Sequence, residues 1–248
     1  MRWKCVCSYD GTDFNGWQSQ PNCNTIQDIL EKRLRFIFEC PVRVHSSGRT
    51  DAGVHANYQV FHFDANWEHG SDKLLRAFKC DIPKTIRVFA AEEVDDAFHA
   101  RFSAIRKQYQ YHILEGDASP FDYRYVWNLG NRRLNVDKMN EVAKIFLGKH
   151  DFSQFGAKHR DSTTENAVKT MHEMSFFRSG TRIIFTTEGS GYLYKMVRIL
   201  VGCFVQVGLG NMNSDKLAAT ITGQNKNCTD FRKECAPGHG LFLNRVYY

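Results

Sequence analysis

At 248 residues, with 42% hydrophobic and 24% charged positions, the chain can bury one large core or two halves of roughly 120 residues each without staples. Five prolines and no long polar tract argue against a disordered protein, and the longest apolar run, Ile199–Leu209, is too short to span a bilayer. The net charge of +6, from 33 basic and 27 acidic residues, tilts the chain weakly toward a polyanionic partner.

Residues 2–9 alternate as a strand, and a polar loop, Asp10 to Gln20, follows. Asn24 is expected to cap a helix from Thr25 whose apolar positions are Ile26, Ile29, Leu30, Leu34 and Ile37, with Pro41 ending it. Val42–Ser47 reads as a short strand and Tyr58–Phe63 as a second, with a Gly-rich loop at 48–56 between them. Leu74, Leu75 and Phe78 mark a second helix, followed by strands at Ile86–Val94 and Lys107–Leu114, the latter with Tyr109 and Tyr111 on one face. Residues 115–135 connect to a helix around 136–147. Strands at 167–178 and 182–188 form a hairpin across Ser179-Gly180. A long helix around 191–208, a short one near 214–222 and a strand from Leu241 to Tyr248 complete the order. Hairpin-like neighbours predict a mostly antiparallel sheet with helices on one face, an α+β fold, in two halves that each mix strands with two helices.

The eight cysteines show no Cys-x-x-Cys pair and no secretory leader precedes them, so they read as reduced, mostly buried small side chains of a cytoplasmic protein. A zinc site from Cys228, Cys235 and His239 matches no recurrent spacing.

Chemistry concentrates in Gly48-Arg-Thr-Asp-Ala-Gly-Val-His-Ala56. Two glycines allow a sharp turn or close approach to a ligand, and a carboxylate and a guanidinium lie between them. An Asp on such a loop can be a nucleophile, a base or a metal ligand, and the Arg beside it can pair with that Asp or with a phosphate. The plain alternative is a turn capped by Asp51 with Arg49 in solvent. A metal held by Asp51, His55 and His45 has no supporting ligand spacing.

The loop is similar, residue for residue, to the signature of the TruA-type tRNA pseudouridine synthases. Five further stretches resemble that family in the same order: Tyr9-Asp-Gly-Thr-Asp-Phe-Asn-Gly-Trp-Gln18 with the Thr25-Ile-Gln-Asp helix, Phe98-His-Ala-Arg-Phe-Ser-Ala104, Lys107-Gln-Tyr-Gln-Tyr111, Met196-Val-Arg-Ile-Leu-Val-Gly202 and Gly240-Leu-Phe-Leu243. The resemblance implies two similar halves, 1–105 and 106–248, whose mostly antiparallel sheets join into one extended sheet with helices on one face and an active-site cleft on the other. It implies an enzyme that breaks the uracil N1–C1′ bond, turns the base and forms a C5–C1′ bond, with no metal or cofactor. It implies Asp51 as the essential carboxylate, attacking C1′ or acting as a base at C2′. Tyr109 would stack on the base and Tyr111 would be structural. Arg198 would pair with Asp51, and a lone Arg on so apolar a helix needs a partner in any case.

Arg49 would help extrude the target nucleotide from its stack, Leu241 or Leu243 would pack beside the base, and Arg101 would contact phosphate or brace the loop. Arg2, Lys4, Arg106, Lys107, Lys158, His159 and Arg160 are basic surface candidates. The implied substrate is the tRNA anticodon stem-loop, at positions 38, 39 and 40, and the implied assembly a homodimer. Two departures bear on substrate choice: Ser162–Lys169 lacks the family's Thr-x-Arg run, and Tyr194 and Lys195 stand where the best-known members carry histidines. The rival readings are a non-catalytic RNA-binding protein on the same fold and a metal-dependent hydrolase using Asp51 and His55.

Overall fold

The computed structural model describes residues 1–21, 24–157, 166–223 and 234–248. Among them are five α-helices and ten strands, an α+β fold, and the chain divides into two compact units: residues 1–107 with 242–248, and residues 108–241.

In the first unit the sheet runs β4 (Ile86–Val94), β1 (Arg2–Tyr9), β3 (His55–Asp64) and β10 (Leu241–Tyr247), with β2 (His45–Ser46) beside β3. β1 is antiparallel to both β3 and β4, and β10 is parallel to β3, with Phe242 opposite His55. Helix α1 (Ile26–Phe38) buries Ile26, Leu30 and Leu34, and α2 (Gly70–Phe78) buries Leu74 and Phe78. These meet the Phe61 and Phe63 side of β3, where Phe78 stands edge-on to both rings and Trp17 lies 6.2 Å from Phe61. The opposite side of β3 carries Val60 and His62 and receives the 98–104 segment, whose Ala100 N–H donates to His62 Nδ1 at 3.2 Å.

The cap of α1 differs from expectation. Thr25 is the N-cap and accepts from the Asp28 N–H, while the Asn24 amide donates to the Asp13 carbonyl. The helix stops two residues before Pro41, at Glu39, whose φ of 56° is left-handed. Glu39 is exposed, so only backbone strain is at stake there. Glu39→Gly is expected to raise stability by about 0.5–1 kcal/mol, read as a higher urea midpoint; an unchanged or lower midpoint contradicts this.

The second unit orders its strands β5 (Arg106–Leu114), β9 (Arg182–Gly189), β8 (Val168–Ser179) and β7 (Gly148–Asp151), with β6 (Trp127–Asn128) parallel to β5. The β8–β9 hairpin closes over Gly180 and Thr181, Gly180 taking the left-handed φ of 59°. Strands β6 and β7 are absent from the sequence expectation because two to four residues give no readable alternation. Phe146, Phe152, Phe155, Phe176, Phe185 and Phe204 form the core with α3 (Val136–Ile145) and α4 (Met196–Gly208). Helix α4 starts at Met196, not near 191. The main chain before it bonds elsewhere, Ser190 N–H to Thr170 and Ala157 N–H to the Tyr194 carbonyl, and Lys195 caps the helix at a φ of 59°. Helix α5 (Ser214–Ile221) follows, capped by Asn213.

A carboxylate, Glu115, is buried in this unit. The Glu115 carboxylate accepts from Arg133 Nη1 at 2.9 Å, from Arg178 Nη1 and Nη2 at 2.5 and 3.0 Å, and from the Leu134 N–H at 2.7 Å. Burial opposes its charge, but the bonds from Arg178, Leu134 and Arg133 outweigh it and hold the carboxyl at about 2.

Of the described cysteines, Cys5, Cys7 and Cys203 are buried thiols, whereas Cys40, Cys80 and Cys235 are exposed, against the expectation that most are buried. Cys23 and Cys228 lie outside the described residues, and with Cys228 the zinc set. No helix among the described residues is long and apolar enough to cross a membrane.

Candidate active site

Asp51 lies in the turn between β2 and β3, and the main chain sets its place. The Trp17 N–H donates to the Thr50 carbonyl at 3.0 Å, the Val54 N–H to the Asp51 carbonyl at 3.1 Å, and the Gly53 N–H to the Phe14 carbonyl at 3.4 Å. Gly16 permits this approach: its φ is 87°, and a Cβ there would press on the Thr50 carbonyl oxygen at 2.5 Å. The Tyr9–Gln18 stretch is thus the scaffold of the Asp loop. Its spacing carries no chemistry of its own, and that role was not readable from the sequence.

Asp51 is half-buried and Arg49 exposed on the same turn. Lys107 packs against Gly48, where a Cβ would come within 3.4 Å of Nζ. The turn therefore presents a carboxylate among cations, an arrangement suited to a reacting sugar carried on a phosphate backbone.

His55 is committed to bracing the loop. It is 1% exposed, its ring stacks on Phe242 at 4.7 Å, and its Nδ1 lies 3.0 Å from the Gly11 amide nitrogen and 3.1 Å from an Asp10 carboxylate oxygen. Among the described residues no three His, Cys, Asp or Glu side chains are placed to hold a metal ion.

Arg101 is exposed, with its guanidinium 5.8 Å from the Phe102 ring. Its segment is rigid because ring nitrogens accept its amides: His62 Nδ1 from Ala100, and His99 Nδ1 from Arg101 at 3.1 Å and from Phe102 at 3.4 Å. Burial, then the neighbouring His99, Arg2 and His45, pull His62 down to about 4, so it stays a neutral acceptor. Of the other basic candidates, Arg2 is spent on Asp64 at 2.7 Å and Lys4 on Glu92 at 2.8 Å. Arg106 lies 5.0 Å from the Tyr247 ring. Lys158, His159 and Arg160 lie outside the described residues, as does the 162–165 part of the departing run.

Tyr109, Arg198 and Leu241 belong to the second unit. Tyr109 is 8% exposed and stands edge-on to Tyr192, ring centroids 5.0 Å apart. Tyr192 shares a 3.1 Å hydrogen bond with Thr187, and burial raises its phenol well above the ordinary value, keeping it neutral. Tyr111 is fully buried and donates its hydroxyl to the Pro237 carbonyl at 2.8 Å, a structural contact.

Arg198 Nε donates to the Ala236 carbonyl at 2.7 Å, and the Ala236 N–H donates back to the Arg198 carbonyl at 3.1 Å. Gly202, four residues on and on the same helix face, faces the Glu234 carbonyl so closely that a Cβ would collide with it. Arg198 and Gly202 together dock the 234–237 segment, which orients the guanidinium. Leu241 is 6% exposed at the start of β10, and Leu243 is fully buried.

The model of the family described as tRNA pseudouridine synthase matches residues 6–103 and 142–248. A curated relative from Bacillus subtilis, "tRNA pseudouridine synthase A", is 39% identical over 100% of this chain and 99% of its own. Proteins of the same name from an Exiguobacterium species and from Bacillus licheniformis are 38% and 40% identical, each over 100% of this chain and 98% and 99% of their own. Among solved structures, a chain of a Cbf5–Nop10–Gar1 complex is similar at a TM-score of 0.37 and 12% identity, over 82% of this chain and 44% of that one.

Proposed function

The chain belongs to the tRNA pseudouridine synthase family, and on that premise we propose that it isomerises uridines of the tRNA anticodon stem-loop, at positions 38, 39 and 40, with Asp51 as the reacting carboxylate. The observation that carries the reading is a loop whose main chain is fixed at Thr50, Asp51, Gly53 and Val54 while its Asp and Arg side chains remain accessible. A fixed carboxylate is what a reaction at a single ribose carbon needs, since misplacement by about 1 Å costs roughly 100-fold in rate.

The remaining roles rest on the family resemblance. Tyr109 holds the base, with Leu241 beside it; Arg49 fills the stack left by the extruded nucleotide; Arg101 and Lys107 face phosphate. Arg198 pairs with Asp51 and aims it. The enzyme works as a homodimer in the cytoplasm, and the isomerisation consumes no cofactor because the departing and returning group is one base.

The test is carbodiimide primer-extension mapping of a tRNA transcript incubated with the protein. New stops at the anticodon stem-loop support the reading. A transcript left unmodified, or modified only elsewhere, refutes the enzyme or its site respectively. Arg198→Met is expected to lower the single-turnover rate about 100-fold and tRNA affinity less than about threefold. Equal losses in both would remove the proposed pairing with Asp51.

A further inference from the structure

We propose that Gln59 is a positioning residue for Asp51, acting with Thr50 through a buried hydrogen-bond clamp on the loop; this rests on Asp51 being the reacting carboxylate. Gln59 lies on β3, on the side that carries Phe61 and Phe63, and is fully buried. A buried primary amide costs stability unless its donors and acceptor are all met. Here they are. Gln59 Oε1 accepts from Ser47 Oγ at 2.7 Å, and Nε2 donates to the Gly48 carbonyl at 2.8 Å and, at 3.4 Å, toward the Tyr9 hydroxyl. That hydroxyl shares a 2.8 Å bond with Thr50 Oγ1.

One side chain thus grips residues 47 and 48 directly and residue 50 through Tyr9. Those are three of the four positions that lead into Asp51. An apolar residue of the same volume would serve the Phe61–Phe63 side of the core at least as well, because buried hydrogen bonds add little net stability over apolar packing. What the amide adds is geometry: a fully satisfied buried network admits one arrangement of the loop. The main-chain bonds to Trp17 and Phe14 hold the loop from its other flank, so Asp51 is clamped between two sets of contacts.

The experiment measures single-turnover tritium release from tRNA carrying 5-tritiated uridine, together with tRNA binding by filter retention. The variants are Gln59→Leu, Thr50→Val and Thr50→Ser, with Asp51→Ala alongside. Gln59→Leu and Thr50→Val are expected to lower the rate constant about 10- to 100-fold with affinity changed less than about threefold, and Thr50→Ser to recover most of what Thr50→Val loses. If Gln59→Leu does not fold, Thr50→Val decides, since it exchanges one hydroxyl for a methyl.

Rates for both within about threefold of wild type, or rate and affinity falling by the same factor, would overturn the clamp. A fully active Asp51→Ala would instead overturn the reading of Asp51. An inactive Asp51→Ala beside normal Gln59→Leu and Thr50→Val overturns the clamp alone.

Discussion

Asp51→Ala is expected to lower pseudouridine formation by more than about 1,000-fold while the protein stays folded and binds tRNA within about threefold of wild type. The separation follows from how the loop is held. Main-chain bonds support it, from Trp17 to Thr50, from Gly53 to Phe14 and from Val54 to Asp51, and these do not run through the Asp51 side chain. Alanine therefore removes the reacting group and leaves the scaffold. Arg49, Arg101 and Lys107 keep their charges, so the phosphate-binding surface is unaltered. Carbodiimide mapping and filter binding read the two quantities on one preparation. Product at the wild-type rate would end the assignment, and loss of binding in proportion to activity would make Asp51 a structural residue.

Glu115→Gln is expected to cost about 3 kcal/mol at pH 7, the largest stability effect of any single substitution considered. The carboxylate is buried and accepts four hydrogen bonds from Arg133, Arg178 and Leu134, and neutralising it leaves the half-buried Arg178 guanidinium against a partner with no charge and one acceptor oxygen fewer. The pH dependence has a definite sign. The folded carboxyl is held at about 2, below its ordinary 4.5, so its contribution is complete above about 4.5 and drains away as pH falls toward 2. Wild type and variant should differ most at neutral pH and converge below about pH 2. Urea unfolding at pH 7 and at pH 3 checks this, and equal midpoints at pH 7 would refute it.

Much of the element order was legible because β1, β4, β5, β8, β9 and α1–α5 are long enough for their periods of two or 3.6 to show. What escaped has physical causes. The cap fell on Thr25 rather than Asn24 because both residue types cap, and only the local backbone decides which hydroxyl or amide meets the orphan N–H. The late start of α4 depends on main-chain bonds to strands distant in sequence, which no local pattern announces.

At the site, Asp51 and Arg49 were visible as residue types but ambiguous in role, and the order of the motifs resolved the family. The supporting residues were hidden. Gly16 reads as a loop glycine until the Thr50 carbonyl is seen beside it, and Gln59 reads as an ordinary polar position on a strand. His55 entered the sequence reading only in the metal and hydrolase alternatives, and its contacts with Asp10, Gly11 and Phe242 brace the loop.

The pairing of β10 with β3 has a bearing on how the protein is made. Strand β3 emerges from the ribosome early, yet its neighbour from Phe242 onward is translated only after residues 108–241. Throughout that interval one edge of β3 lacks its parallel partner, and His55, the residue that ends the Asp51 turn, lacks the ring it stacks on. The first unit to be synthesised is the last to be finished. Until translation reaches β10, a nascent chain carries the Asp51 turn with its main-chain supports in place but without the Phe242 ring that packs on His55.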